Sequence, residues 1–169
     1  MRTLTALLVC CGLAGCAGDR ESADVWFTTD GGSLRAVSRD VEPRPALVLR
    51  ALLAGPTPAE RNRGLRTDLP ARVELISSSL RAGTVRVELR SDELGRYEPT
   101  TLVFALRLSQ LVYTLTGLPR VDRVRLVVNG EPWGFSRHDG SVVQTYARAS
   151  APRVCNGRIW VGDPPGRCR

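Results

Sequence analysis

The clearest alternation of apolar and polar positions runs from Thr84 to Arg90, where Val85, Val87 and Leu89 interleave with Arg86, Glu88 and Arg90. A period of two sends one set to each face, which predicts a strand with one packed face and one wet face. Arg72 to Leu80, joined to it across Ala82-Gly83, reads as a companion strand. VWFTT (25–29) and LRAVSR (34–39) flank Asp30-Gly31-Gly32-Ser33 and predict a hairpin with a glycine-dependent turn. The period then changes. PALVLRALLA (45–54) places Leu47, Leu49, Leu52 and Leu53 over one broad face, with Pro45 at its start and Gly55-Pro56 forcing its end. A longer helix follows Pro99 through TTLVFALRLSQLVYTLTG and stops at Gly117 and Pro119. Apolar residues occupy most of its circumference, so it is expected to be the central packing element. VDRVRLVVN (121–129) reads as a strand closed by the Asn129-Gly130 turn, and the strand-like SVVQTYAR comes after it.

The order β-β-α-β-β-α-β predicts an α+β fold, a single small domain with two helices packed on one face of a mixed sheet. The expected organisation is a signal peptide over 1–15, a short tether over 16–24, the domain over 25–135, and a C-terminal extension over 136–169. Residues 55–70 stand out as a stiff polar connector with three prolines and two glycines.

The first residues, MRTLTALLVCCGLAGC, carry Arg2 and then an apolar run from Leu4 to Leu13. Such a run is too short for a membrane-crossing helix, which needs about 20 residues, and fits the core of a signal peptide. Leu13-Ala14-Gly15-Cys16 resembles the bacterial lipobox, which implies that Cys16 is lipidated and becomes the new N-terminus. An ordinary signal peptide cut near Ala17 is the other reading. Cys10 and Cys11 would leave with the leader. Two acyl chains suffice for stable anchoring, and a tether from Cys16 to Asp24 reaches at most about 30 Å. The expected location is the outer face of the cytoplasmic membrane.

Composition narrows the partners. The chain has 169 residues, of which 43% are hydrophobic and only 5% aromatic, so leucine and valine must build the core. Every basic residue is arginine, which guanidinium chemistry or GC-rich coding would each explain, and the net charge of +7 favours anionic partners. Nucleic acid is not expected for an exported chain. After export the remaining cysteines are Cys155 and Cys168, expected to form one disulfide around CNGRIWVGDPPGRC. Closing such a loop contributes about 3 kcal/mol in the chain-entropy picture. No second Cys or His stands beside either, so no metal or cofactor is expected. His138, in SRHDG, is the chain's one histidine and reads as a solvated turn residue.

Three motifs together resemble the GerMN domain, the sporulation and spore germination domain. They are Leu52-Leu53-Ala54-Gly55-Pro56 at a helix end, Gly64-Leu65-Arg66-Thr67-Asp68-Leu69-Pro70 leading into a hairpin, and Gln110-Leu111-Val112-Tyr113-Thr114-Leu115-Thr116 followed by a valine-rich strand ending in Asn-Gly. The resemblance covers about residues 25–132. It implies a small α/β module related to ring-building folds, found in exported lipoproteins of Gram-positive bacteria, with no enzymatic activity established for it and with binding to peptidoglycan or envelope proteins. Gly55, Pro56, Gly64, Leu65, Thr67, Pro70, Gln110, Tyr113 and Thr114 are then structural. The chain carries one copy, unlike the two-copy germination protein.

The residues give little foothold for catalysis. A lone histidine in a turn is a poor base for a nucleophile, and Glu60, Asp92, Glu93 and Glu98 sit in expected loops with no reason to converge into a glycosidase pair. Ser77-Ser78-Ser79 reads as a polar strand end. For binding, Arg86 and Arg90 on one strand and Arg123 and Arg125 on another would share a face if the strands are neighbours in phase, and together could grip phosphate or carboxylate. A plain solvated face balanced by Glu74 and Glu88 is the alternative. The leading expectation is a non-catalytic, lipid-anchored module that binds a cell-wall polymer or an envelope protein. A self-assembling module and a cryptic wall hydrolase are the other two.

Overall fold

The computed structural model describes residues 21–94, 101–136, 138–155 and 158–161. Cys16, Cys168 and the leader lie outside these residues, as does the side chain of Cys155, so the lipidation and disulfide expectations fall outside the described part.

The chain opens with β1 (Ser22–Thr29) and β2 (Leu34–Asp40), then α1 (Pro45–Leu53), α2 (Pro58–Arg61) and β3 (Leu65–Arg66). β4 (Glu74–Arg81), β5 (Thr84–Arg90), α3 (Leu102–Leu115), β6 (Arg123–Val128) and β7 (Glu131–Pro132) follow. Short strands complete it: β8 (Phe135–Ser136), β9 (Val142–Val143), β10 (Thr145–Ala147), β11 (Pro152–Cys155) and β12 (Arg158–Val161).

The fold is a mixed α+β one, but the single sheet expected from the element order is corrected to several. A three-stranded sheet runs β2-β1-β3, and a five-stranded sheet runs β10-β6-β5-β4 with β7 attached to β6. The larger sheet is mixed, since β5 and β6 pair in parallel while β4 and β10 pair antiparallel to them. Alternation along a strand reports which face is packed. It does not report which edges meet, and here the first hairpin takes Leu65–Arg66 as its neighbour instead of the central strands.

The expectation of two helices on one sheet face is corrected as well. α3 touches β1 of the small sheet, β6 of the large one, α1 and the β11–β12 hairpin. It is therefore enclosed, and even Arg107, Ser109, Gln110 and Thr114 on it are buried. The core joins Val25 and Phe27 of β1, Leu49 and Leu52 of α1, Val85, Val87 and Leu89 of β5, and Leu108, Leu111 and Leu115 of α3, all fully buried.

The connector over 55–70 also holds more order than its composition suggests. Gly55 adopts φ +75, the left-handed conformation that closes α1 without a Cβ penalty. Thr57 then caps α2: its hydroxyl accepts from the Glu60 amide at 3.3 Å, while the Glu60 carboxylate accepts from the Thr57 amide at 2.8 Å. Glu60, placed in a loop by the sequence reading, is a buried helical residue that accepts two bonds from Arg39 at 2.5 and 2.6 Å.

Candidate functional site

The wet face of the large sheet arises directly from the β5 alternation. Val85, Val87 and Leu89 have no exposed surface, so Arg86 and Arg90 must point the other way, and both are exposed. β6 repeats the pattern with Val124 and Leu126 inward and Arg123 and Arg125 exposed. The parallel register sets Arg86 opposite Arg125 and Thr84 opposite Arg123, so these arginines occupy one face in phase. Arg90 stands at the far end of β5, opposite Glu74 of β4.

Partners temper the charge. Arg86 donates to Glu88 at 3.1 Å, Arg90 to Glu74 at 3.4 Å, and Arg125 to the Gln144 side chain at 3.3 Å. The guanidinium of Arg123 meets no side-chain partner among the described residues. The Arg90–Glu74 pair is largely open to water and the Arg86–Glu88 pair partly so, and such contacts contribute at most about 1 kcal/mol. A polyanion can displace them at little cost. Among the described residues no group of three or more His, Cys, Asp or Glu side chains is placed to hold a metal ion, and no helix is long and apolar enough to cross a membrane. His138 is exposed in a turn.

The motif residues gather elsewhere, around one buried amide. Gln110, on α3 and fully buried, accepts from the Asp68 backbone N–H at 2.9 Å and donates to the Trp26 carbonyl and the Thr67 hydroxyl, each at 3.3 Å. Thr114, one turn on, accepts from the Trp26 N–H at 3.0 Å. Leu65 and Pro70 are buried beside this junction in sequence, and Gly64 takes φ +79 to bring the chain into β3. Polar side chains of α3 thus bind both β1 and the segment leading to β4.

At Gly64 an added Cβ would stand 3.0 Å from the Asp30 carboxylate in a left-handed backbone. Gly64→Ala is accordingly expected to destabilise the protein by about 1–2 kcal/mol, read as a lowered midpoint in urea unfolding.

Tyr113 closes the other side. Its ring lies 5.2 Å from that of Trp26, and Arg148 sits over both at 5.0 and 5.3 Å from the ring centres while donating to the Tyr113 carbonyl at 2.7 Å. Arg153 of β11 donates to the Tyr113 hydroxyl at 3.1 Å. Sequence reasoning missed Arg148 and Arg153, which give no periodic signal and act on residues far away in the chain.

A model of the Germane family, described as sporulation and spore germination, matches residues 22–133. Among solved structures, the tandem GerMN domains of the sporulation protein GerM from Bacillus subtilis superpose with a TM-score of 0.56 at 16% identity over 76% of this chain and 46% of that one. The chain thus spans about half the length of that tandem structure. The first GerMN domain of the same protein gives a TM-score of 0.53 at 16% identity, over 73% of this chain and 97% of that domain. Identities this low speak for the fold alone. No curated protein matches the chain. With two-thirds of its length matched by the family model and a fold like that of the GerMN domains, the chain belongs to the Germane family, the sporulation and spore germination domain.

Proposed function

We propose that this chain is an exported, non-catalytic envelope module, lipid-anchored through Cys16, that holds an anionic cell-wall polymer or envelope protein on its arginine-bearing sheet face. A sporulation-related envelope role is the setting that the family suggests. The observation that carries the reading is the β5–β6 register, in which Arg86 and Arg125 stand side by side and Arg123 lies on the same outward face. Parallel pairing fixes the backbone spacing of these arginines on a rigid scaffold, so several guanidiniums are presented together to carboxylate or phosphate and only their side-chain rotamers are ordered on binding.

β1 begins at Ser22, three residues before the expected Val25, so a chain anchored at Cys16 has only residues 16–21 as its tether. That reaches about 20 Å when extended. Held so close, each exposed arginine would add about 1 kcal/mol of attraction to an anionic surface.

The test is co-sedimentation of the protein with purified cell-wall fragments and with anionic vesicles. The R86A/R90A/R123A/R125A variant is expected to lose retention by on the order of tenfold or more, with the wild-type signal falling as salt rises. Equal retention of variant and wild type would remove this face from the function. Loss on vesicles alone would assign it to the membrane.

A further inference from the structure

β4 is the last strand of the large sheet, with β5 on one side and no strand on the other among the described residues. An open edge presents a row of backbone donors and acceptors ready to pair with another chain. Folded proteins commonly blunt such edges with a proline, a central lysine or an inward charge. β4 has none of these between its ends, where it runs Leu75, Ile76, Ser77, Ser78, Ser79 and Leu80; its edge carries a single bulge, at Ile76, and α1 packs near the strand. Ile76 and Leu80 are also among the few large apolar side chains left exposed, at 43% and 36%.

The strand is complementary to itself. Ile76 is a bulge, skipped in the register between Leu75↔Leu89 and Ser77↔Glu88. The remaining residues, Glu74, Leu75, Ser77, Ser78, Ser79, Leu80 and Arg81, read the same from either end once opposite charges are matched. Antiparallel pairing of two copies about Ser78 sets Glu74 against Arg81, Leu75 against Leu80, and Ser77 against Ser79. Each pair also agrees in face. Glu74, Ser77, Ser79 and Arg81 share the wet side with Arg90, Glu88, Arg86 and Thr84, while Leu75, Ser78 and Leu80 share the packed side with Leu89, Val87 and Val85.

We infer that β4 is a homodimerisation edge, where a second copy of this chain adds its own β4 antiparallel about a two-fold axis at Ser78. The interface is isologous, each side offering the same residues to the other. The wet faces of both copies then lie on the same side of one continuous sheet. The inference stands independently of what that face binds.

The full chain, purified in mild detergent, is examined by sedimentation velocity and by cysteine crosslinking with oxidised glutathione. The wild-type chain is expected to dimerise with rising concentration. Cross-strand partners lie about 4.5–5.5 Å apart between Cα atoms, within disulfide reach, so S78C alone should give a crosslinked dimer above the wild-type level. S77C and S79C should crosslink when mixed and not separately. E74R puts Arg against Arg twice, and R81E puts Glu against Glu. Each should weaken the dimer on the order of tenfold, and the E74R/R81E double variant should recover it, with wild-type-like circular dichroism and a cooperative melt showing that all three fold. A monomer at every concentration would overturn the inference, as would a dimer indifferent to these charge reversals or crosslinking of S77C alone as strong as that of S78C.

Discussion

Replacing Gln110 with leucine is expected to destabilise the fold by about 3 kcal/mol, although leucine nearly matches its volume. The loss is polar. Without the side-chain amide, the Asp68 N–H and the Trp26 carbonyl lose the partner they have at 2.9 and 3.3 Å in a site closed to water at Gln110 itself. Each partly buried group left unpaired costs about 1–3 kcal/mol. Thr67→Ala, which removes one of the three contacts and also the acceptor of the Leu69 N–H at 3.2 Å, should cost about 1–2 kcal/mol. Because both variants disturb one network, their combined effect should fall short of the sum. Urea unfolding of the two single variants and the double one measures all of this. A Gln110→Leu midpoint equal to wild type would show that the amide does not join α3 to β1 and the connector.

Arg39→Ala is expected to cost about 3–5 kcal/mol, the usual consequence of leaving a buried charge without its partner. Glu60 is 5% exposed. The two bonds from the Arg39 guanidinium, helped by the Thr57 N–H, hold its carboxyl down to about 2 against the opposing effect of burial. Arg39 itself lies over the Phe27 ring at 5.4 Å, so its removal also strips packing from β1. The pH dependence follows from the lowered value. Above about 4.5 the carboxylate is ionised in folded and unfolded chains alike, and the pair contributes fully. As pH falls from 4.5 towards 2 the unfolded chain takes up a proton that the folded one refuses, and that stability is lost. Arg39→Ala removes the largest cause of the lowered value, so its stability should change far less across this acid range than that of wild type. Denaturant midpoints at neutral pH and through the acid range give both quantities. Parallel wild-type and variant curves would contradict the assignment.

These two clusters mark where sequence reading reaches its limit. The β5 alternation, the Pro45 start and Gly55 end of α1, and the enclosure of α3 were legible, because each depends on local spacing or local backbone constraint. The α2 cap was legible too, in Thr57-Pro58-Ala59-Glu60, but was hidden by reading the prolines and charges around it as a connector. Gln110 was legible only as part of a family motif. A glutamine on a helix reads as water-facing, and its burial is decided by Trp26 and Asp68, far away in the chain. The division into separate sheets depends in the same way on edges meeting at long range. For the arginines, alternation gave the face of each strand, while the parallel register that aligns Arg86 with Arg125 had to come from three dimensions.

The β11–β12 hairpin lies against α3, where Ser109 donates to the Pro152 carbonyl at 2.5 Å, and Ala151 just before it is fully buried. The family match stops at residue 133, yet the wall of the central helix is completed by residues beyond that point. During folding, therefore, one side of α3 stays unroofed until the β11–β12 segment is in place. Final closure of the core waits on residues outside the family match, and a protease would meet the half-made form until they dock.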